Sequence, residues 1–365
     1  MTKRLLNWLK WLVPVVAAFF IGRIIYRQWQ QVRNFDWHFD PLYLLLSFLA
    51  TSSWFFVRSY IWRFLVARFG YTIPYRECIR IWVLSELSRY VPGTVWQYFS
   101  RIYLAGRWGV PSTVALTSAL MELLLMALAA IPLVLWHLDD ILPVVGSAQR
   151  VLLFTFPFAA ALLLHPAVLN RLARLFLPRL KLVYVPIQLR FREILALWAA
   201  CLVLWILFGT GFLFFVRSLA PLDLYRGVPL VSNYAASWLI GVVTLFAPGG
   251  IGVREGVLGL LLSKILPLGT ALLVAVLSRL WLISLEIFWA AIAQFLFHLP
   301  PPGDSTEPRG GSTRCSPPAA GSFFEGVAMV RRASARLQPR FRRVVFQPYG
   351  LAYNRGPSVH FPLCK

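Results

Sequence analysis

The chain has 365 residues, of which 59% are hydrophobic and only 14% charged, and its formal net charge is +22. Soluble domains are about 45–50% apolar and about 25% charged, so the composition excludes an ordinary soluble protein and indicates an integral membrane protein. Much of the positive charge lies in loops and in the C-terminal tail, where it suits cytoplasmic retention and contact with anionic lipid head groups. We therefore expect membrane lipids, and not nucleic acid, as partners.

Six segments are apolar and long enough to be transmembrane helices, since a bilayer-spanning helix needs about 20 mostly apolar residues. The predicted spans are residues 11–26, 41–66, 113–136, 150–165, 194–219 and 270–297. The basic residues Lys3, Arg4 and Lys10 before the first span resemble the start of a signal peptide. Because further spans follow, we expect an uncleaved first helix.

Two other apolar segments, residues 81–104 and 228–266, carry charges and a Pro-Gly break in the middle. The breaks are Pro92-Gly93 and Pro248-Gly249-Gly250. Proline lacks an amide hydrogen and clashes with the preceding turn, while glycine tolerates unusual dihedral angles, so a helix must open at each break. Both segments are predicted to be helix-break-helix units.

The charges of the loops orient these elements relative to the membrane. The connection 166–193 holds six basic residues and one acidic residue, Glu193, which places it in the cytoplasm, whereas the loop 137–149 has two aspartates and fits the other side. The basic residues of the connection are Arg171, Arg174, Arg179, Lys181, Arg190 and Arg192. A cytoplasmic N-terminus and tail then require both broken segments to be re-entrant and to enter from opposite faces of the membrane.

The sequence thus predicts an all-α polytopic protein of the inner (plasma) membrane, with about six spans and two opposed re-entrant segments, an opposition that suggests an inverted repeat. In transporters, corresponding Gly/Pro interruptions in two halves point to a binding site at the membrane midplane. Residues 1–299 form the predicted membrane domain, and the basic Pro/Gly/Ser-rich tail, residues 300–365, is predicted to be disordered. The tail either lies in solvent or contacts anionic lipid.

The first candidate site surrounds the first break. Glu86 and Arg89 are three residues apart and share a helix face, and Gln97 and Arg101, four apart, do likewise beyond the break. One interpretation is a polar cavity in which Arg89 and Arg101 bind a phosphate, while Glu86 binds a cationic group or neutralises an arginine. The other is a kinked hairpin whose charges only pair with one another.

The second candidate site is the glycine-rich segment 245–259, LFAPGGIGVREGVLG, in which Gly252 precedes Arg254 and Glu255 and a new apolar helix. Free amides at a helix N-terminus and the helix dipole both favour an anion, and a lipid phosphate is the anion most available in a membrane. The alternative is a tight turn in which the glycines permit close packing and Arg254 pairs with Glu255 or a neighbour.

Single charges inside predicted spans form a third group, namely Glu122, Arg279 and Glu286. Ionisable residues in a membrane normally face the interior of the helix bundle and have partners. We expect Glu122 and Glu286 to pair with Arg89 or Arg254, or to carry protons, and structural ion pairs between helices are an equal alternative.

Few other residues suggest chemistry. Arg58 and Arg63 lie late in the second span and are expected to snorkel to the cytoplasmic interface without a special role. The four cysteines have neither disulfide nor zinc-site spacing, and the five histidines do not cluster. We therefore expect no metal, no cofactor and no catalytic site. The cysteines are Cys78, Cys201, Cys315 and Cys364.

Residues 5–297 resemble the transmembrane region of the lysylphosphatidylglycerol synthases and related stand-alone flippase-like proteins. The motif APGGIGVREG is similar to the family's PGG-x-G-x-x-E pattern, and the first break, Arg101 and Arg279-Leu280 also match. The segment Thr94-Val95-Trp96 departs from the usual continuation. Matching motif positions are Pro92, Gly93, Pro248, Gly249, Gly250, Gly252 and Glu255.

The resemblance implies lipid translocation without the synthase domain, acting on an aminoacylated phospholipid or on another lipid such as a polyprenyl-linked sugar. Our leading hypothesis is therefore a flippase-like protein for a phosphate-bearing lipid. A second hypothesis is a non-transporting scaffold or accessory subunit for lipid or envelope-glycan synthesis. In either case the protein is expected to act as a homo-oligomer or with a partner enzyme of such synthesis. An intramembrane enzyme is disfavoured, since no nucleophile-base pair or metal set is present.

Overall fold

The computed structural model describes residues 16, 18–90, 96–136, 146–176, 185–222, 224–244 and 250–296, and these residues belong to one compact unit. They form helices joined by short connections. Pro92, Gly93, Pro248 and Gly249, the start of the first predicted span and the tail from residue 300 lie outside the described residues.

Helical residues 18–27 precede the first helices of the bundle. These are α1 Trp29–Arg33, α2 Pro41–Arg68, α3 Tyr75–Leu87, a 3₁₀ turn Ser88–Tyr90, α4 Trp96–Gly106 and α5 Ser112–Trp136. The chain continues with α6 Gly146–Leu164, α7 Pro166–Phe176, α8 Phe191–Arg217, α9 Leu224–Val243, α10 Val253–Leu262 and α11 Leu268–Leu296.

Four helices, α2, α5, α8 and α11, are long and apolar enough to cross a membrane. With 25 to 29 residues each, they exceed the about 20 residues that a bilayer requires. They confirm four of the six predicted spans. Of the other two, residues 150–165 lie in α6, and the first is helical over residues 18–27 and begins outside the described part.

The ends of α2 and α8 show that these helices run antiparallel, side by side. The Asp40 carboxylate accepts hydrogen bonds from the first amides of α2 and fixes where this helix starts, and the Asp40 amide donates to Ser218 at the end of α8 (3.0 Å). At the opposite end of the bundle, Arg68 forms a 2.6 Å ion pair with Glu193 at the start of α8.

The two broken segments enter the bundle from opposite ends, as predicted. The hairpin α3–α4 has its outer end at the Arg68 end of the bundle, where Arg80 donates to Gln294 near the end of α11 (3.2 Å). The hairpin α9–α10 opens at the Asp40 end, since α9 follows α8 and α10 is joined to the start of α11. Near their inner ends, Arg89 of the first hairpin and Glu255 of the second both pair with residues of α11.

The order long helix, broken hairpin, long helix occurs twice, in α2–α5 and in α8–α11. The contacts repeat with the halves exchanged, because α3 packs against α11 while α9 packs against α5. This arrangement agrees with the inverted repeat expected from the sequence. Fully buried aromatic residues, among them Phe55, Trp62 and Trp82, fill the core between α2 and α3.

Candidate functional site

Six charged side chains form a continuous chain of ion pairs across the interior of the bundle. It comprises Arg58 (α2), Glu122 (α5), Arg101 (α4), Glu86 (α3), Arg89 (3₁₀ turn) and Glu286 (α11). The first four contacts measure 2.7, 2.7, 2.9 and 2.8 Å, and Arg89 also pairs with Glu286. Three arginines face three glutamates, so this ion-pair chain is electrically balanced.

Polar and aromatic neighbours complete the environment of these charges. The Arg58 guanidinium lies 4.8 and 5.0 Å from the ring centroids of Trp54 and Trp82. The Trp82 indole donates to Glu122 (3.2 Å), and Arg101 Nε donates to the Ser85 hydroxyl (3.0 Å). These aromatic and hydrogen-bonding partners help to stabilise the buried charges, because an unpaired charge in a low-dielectric interior costs several kcal/mol.

The charged side chains around the first break form ion pairs with one another. The predicted shared face of Glu86 and Arg89 is present as their ion pair, and Arg101 bridges Glu86 and Glu122. Gln97 is half-buried one turn before Arg101. The hairpin thus agrees with the second interpretation, a kinked hairpin whose charges pair with one another, because Arg89 and Arg101 already pair with carboxylates.

The predicted partners of the intramembrane glutamates are partly right. Glu286 pairs with Arg89, as expected, but Glu122 pairs with Arg58 and Arg101 instead of Arg89 or Arg254. The interpretation of Arg58 as a snorkelling residue is wrong, because it is only 7% exposed. Helix α2 continues ten residues beyond it, about 15 Å at 1.5 Å per residue, which is beyond the reach of its side chain.

The second break forms a tight turn that leads into α10. Gly250 and Gly252 have φ of +72° and +87°, which a side chain would strain. A Cβ atom on Gly250 would lie 3.1 Å from the Cα atom of Gly241 in α9, so this turn packs directly on a helix backbone. Helix α10 begins at Val253, right after the glycines, as predicted. Gly241 was missed because a lone glycine in an apolar helix carries no distinctive pattern.

The two charges after the glycines have different partners. Glu255 accepts a hydrogen bond from the Gly252 amide (2.5 Å) and pairs with Arg279 of α11, whose Nε is 3.5 Å from Glu255 Oε1. Arg254 does not pair with Glu255. It is 6% exposed, and its guanidinium lies 4.6 Å from the centroid of the Tyr234 ring. Within the described ranges, no carboxylate forms an ion pair with Arg254.

The charged residues of α10 and of the turn after α3 come together around Tyr90 and α11. The Tyr90 ring centroid lies 5.3 Å from the guanidinium carbons of both Arg89 and Arg279, so the last described residue before the first break contacts the partner of Glu255. Arg254 is within electrostatic range of Arg89 and Arg279. We call this group the break site; it consists of Arg89, Tyr90, Arg254, Glu255, Arg279 and Glu286.

A small cleft adjoins the break site through Tyr234, the residue that packs under Arg254. Its interior volume of about 20 Å³ has room for only one or two water molecules. Helices α2, α8, α9 and α11 line it with aromatic rings and small hydroxyl groups, the latter from Ser47, Thr51 and Ser278. Among the residues that the structure describes, no three His, Cys, Asp or Glu side chains are placed to hold a metal ion.

A family model described as the lysylphosphatidylglycerol synthase TM region matches residues 9–285. The chain belongs to that family. The match spans both broken hairpins and every residue of the break site except Glu286, and it confirms the resemblance seen in the glycine motif. Family membership and the four long apolar helices make it a membrane protein. No curated protein and no solved structure matches the chain.

Proposed function

We propose that the protein binds a phosphate-bearing membrane lipid at the break site and moves its head group across the membrane. The observation that carries this proposal is the position of Arg254. It is a buried cation at the start of α10, and no carboxylate of the described chain forms an ion pair with it.

The other buried arginines show how unusual this is. Each forms an ion pair with a glutamate, as does the partly buried Arg89; the buried ones are Arg58, Arg80, Arg101 and Arg279. A buried charge is costly unless it is paired, so a cation left without a carboxylate favours binding of an anion from outside.

The local backbone supports the same ligand. The first amides of a helix lack intrahelical acceptors, and the dipole adds partial positive charge at this end. In α10 one such group, the Gly252 amide, is bonded to Glu255, and Arg254 is in the first turn of the same helix. Phosphate at a helix N-terminus beside an arginine is a common arrangement, and phosphate is the anion that lipid head groups supply.

Translocation, and not binding alone, is favoured by the opposed hairpins. One opens at the Arg68 end of the bundle and the other at the Asp40 end, and their inner ends share α11. In transporters with inverted repeats, a site between two broken helices is reached from each side in turn. In the orientation that we propose, the Arg68 end faces the cytoplasm of the inner membrane.

Proteoliposomes test this function. Vesicles containing the protein and a phospholipid with a fluorescent acyl chain are treated with a membrane-impermeant quencher, and head-group movement is followed over time. We expect wild-type protein to accelerate movement over empty vesicles and Arg254→Gln to lose at least nine-tenths of that acceleration. The control is Arg217→Gln, since Arg217 also lies on a tyrosine ring (4.5 Å from the Tyr43 centroid) but at the end of α8.

Two results would contradict the proposal in different ways. If wild-type protein moves no lipid faster than empty vesicles but retains phospholipid during purification, the protein is a lipid-binding scaffold. If Arg254→Gln moves and retains lipid as well as wild type does, Arg254 is not the binding residue.

A further inference from the structure

We propose that the break site selects lipids by the charge of the head group: it takes an anionic phosphate head group and discriminates against one that carries ammonium groups as well. This inference rests on the function proposed above. The distribution of buried charges identifies anionic phosphate lipids as the substrate class.

The first step is that the described helices offer no buried carboxylate that is free of an arginine. A lipid ammonium group needs such a partner when it leaves water. Every glutamate of the described helices already pairs with an arginine; they are Glu77, Glu86, Glu122, Glu193, Glu255 and Glu286. The sequences at the two breaks, VPGTV at 91–95 and LFAPG at 245–249, contain no charged residue that would supply one.

The second step is the net charge. The ion-pair chain is balanced, and Arg279 balances Glu255, so Arg254 leaves one unit of positive charge buried near the breaks. A phosphodiester carries one negative charge and compensates this excess. An anionic phospholipid therefore makes the occupied site neutral.

The third step is what a cationic head group would meet. Arg89 and Arg279 both lie 5.3 Å from the Tyr90 ring centroid, and Arg254 interacts electrostatically with both of them and with Glu255. Like charges repel strongly where water is scarce. An aminoacylated phospholipid brings its phosphate together with ammonium groups. Those groups would lose water beside Arg254, and the two carboxylates of the site, Glu255 and Glu286, already pair with arginines, so the site disfavours the ammonium groups by both desolvation and repulsion.

The experiment compares three lipids that share one fluorescent acyl chain and differ only in the head group: phosphatidylglycerol, phosphatidylethanolamine and lysylphosphatidylglycerol. Each is incorporated into proteoliposomes with wild-type protein. We expect phosphatidylglycerol to move at least tenfold faster than lysylphosphatidylglycerol, with phosphatidylethanolamine between them. A fourth arm with a fluorescent polyprenyl phosphate distinguishes phospholipid from polyprenyl sources of the same phosphate chemistry.

Two variants tie the selectivity to Arg254. We expect Arg254→Gln to reduce the ratio between phosphatidylglycerol and lysylphosphatidylglycerol at least threefold, and Arg254→Glu to reduce it further, since it supplies a carboxylate. Native mass spectrometry of each purified variant with an equimolar lipid mixture gives the same ratio for binding. If the Arg254→Glu variant does not fold, the Arg254→Gln variant alone tests the selectivity.

The outcomes separate this inference from the function on which it rests. If no lipid moves faster than in empty vesicles, the proposed translocation is wrong. If lysylphosphatidylglycerol moves as fast as phosphatidylglycerol or faster, translocation stands and the charge selectivity is wrong. An unchanged ratio in Arg254→Gln also overturns the assignment of selectivity to Arg254.

Discussion

Arg58 and Glu122 form a 2.7 Å ion pair between α2 and α5, although the two residues are 64 positions apart in the chain. The pair begins the chain of charges that ends at Glu286 in α11. It also explains how a helix as apolar as α5 can carry a fully buried glutamate: the charge is compensated by arginines of two other helices.

Glu122→Gln is expected to be strongly destabilising, because it leaves Arg58 and Arg101 without a shared carboxylate. Removing one partner of a buried ion pair costs about 3–5 kcal/mol. Thermal or denaturant unfolding in detergent micelles measures the change. The control is Glu193→Gln, which breaks a partly exposed pair with Arg68 and is expected to cost at most about 1 kcal/mol. Equal losses in the two variants would contradict the role given to burial.

Arg80→Gln and Arg254→Gln should differ in stability although both residues are 6% exposed. Arg80 pairs with the fully buried Glu77 (3.1 Å), so its loss removes an arginine from a buried carboxylate and lowers the unfolding temperature. Arg254 has no such partner among the described residues, and its neutral replacement is expected to leave the unfolding temperature unchanged or higher. A larger loss in Arg254→Gln than in Arg80→Gln would show that Arg254 has a structural partner.

The turn at the second break requires glycine at Gly250. Alanine there would have an unfavourable φ of +72° and a Cβ atom 3.1 Å from the Gly241 Cα. We expect Gly250→Ala to lower the unfolding temperature and to abolish lipid movement. The matched control is Gly256→Ala in α10, where a Cβ meets nothing within 4 Å and where alanine favours the helix by about 1 kcal/mol. Retained activity in Gly250→Ala would mean that the close packing on α9 is not needed.

Helices α10 and α11 are in close contact at Gly259 and Leu272. A Cβ atom on Gly259 would lie 2.4 Å from Leu272 Cδ2, so Gly259→Ala is expected to destabilise by overpacking, at about 1–3 kcal/mol. Leu272→Ala leaves a cavity instead and costs about 2–5 kcal/mol. The double variant should lose less unfolding free energy than the sum of the losses in the two single variants, as measured by denaturant unfolding. Strict additivity would contradict this contact.

The orientation in the membrane is open to a direct test. Cysteine is introduced at the exposed positions Asp36 and Arg192, which lie near opposite ends of the bundle, after the two tail cysteines are replaced by serine. The native Cys78 and Cys201 are buried and should not react. An impermeant maleimide added to intact cells is expected to label Asp36→Cys, and Arg192→Cys only after the membrane is opened. The reverse pattern would invert the proposed topology.

Much of this architecture is predictable from the sequence because membranes impose simple rules. Long apolar runs must be helices, and a Pro-Gly pair inside such a run must break one, so the four long helices and two hairpins follow from local chemistry. The pair Glu86–Arg89 was predictable for the same reason, since residues three apart share a helix face.

The partners of the other charges were not predictable, because they depend on which helices pack together. Glu286 pairs with Arg89, which is 197 residues away in the chain. Glu122 pairs with Arg58, which the sequence placed near the membrane surface, in contact with water. The length of α2 and its packing on α3 and α5 decided that outcome.

The sequence by itself therefore determined the class of protein, the positions of the breaks and the family motif, all of which depend on residues close together in the chain. Only the tertiary structure decided that Glu255 pairs with Arg279 and that Arg254 pairs with no carboxylate of the described chain. The physical reason is that charge compensation in a membrane interior is made between helices, and the sequence order does not say which helices meet.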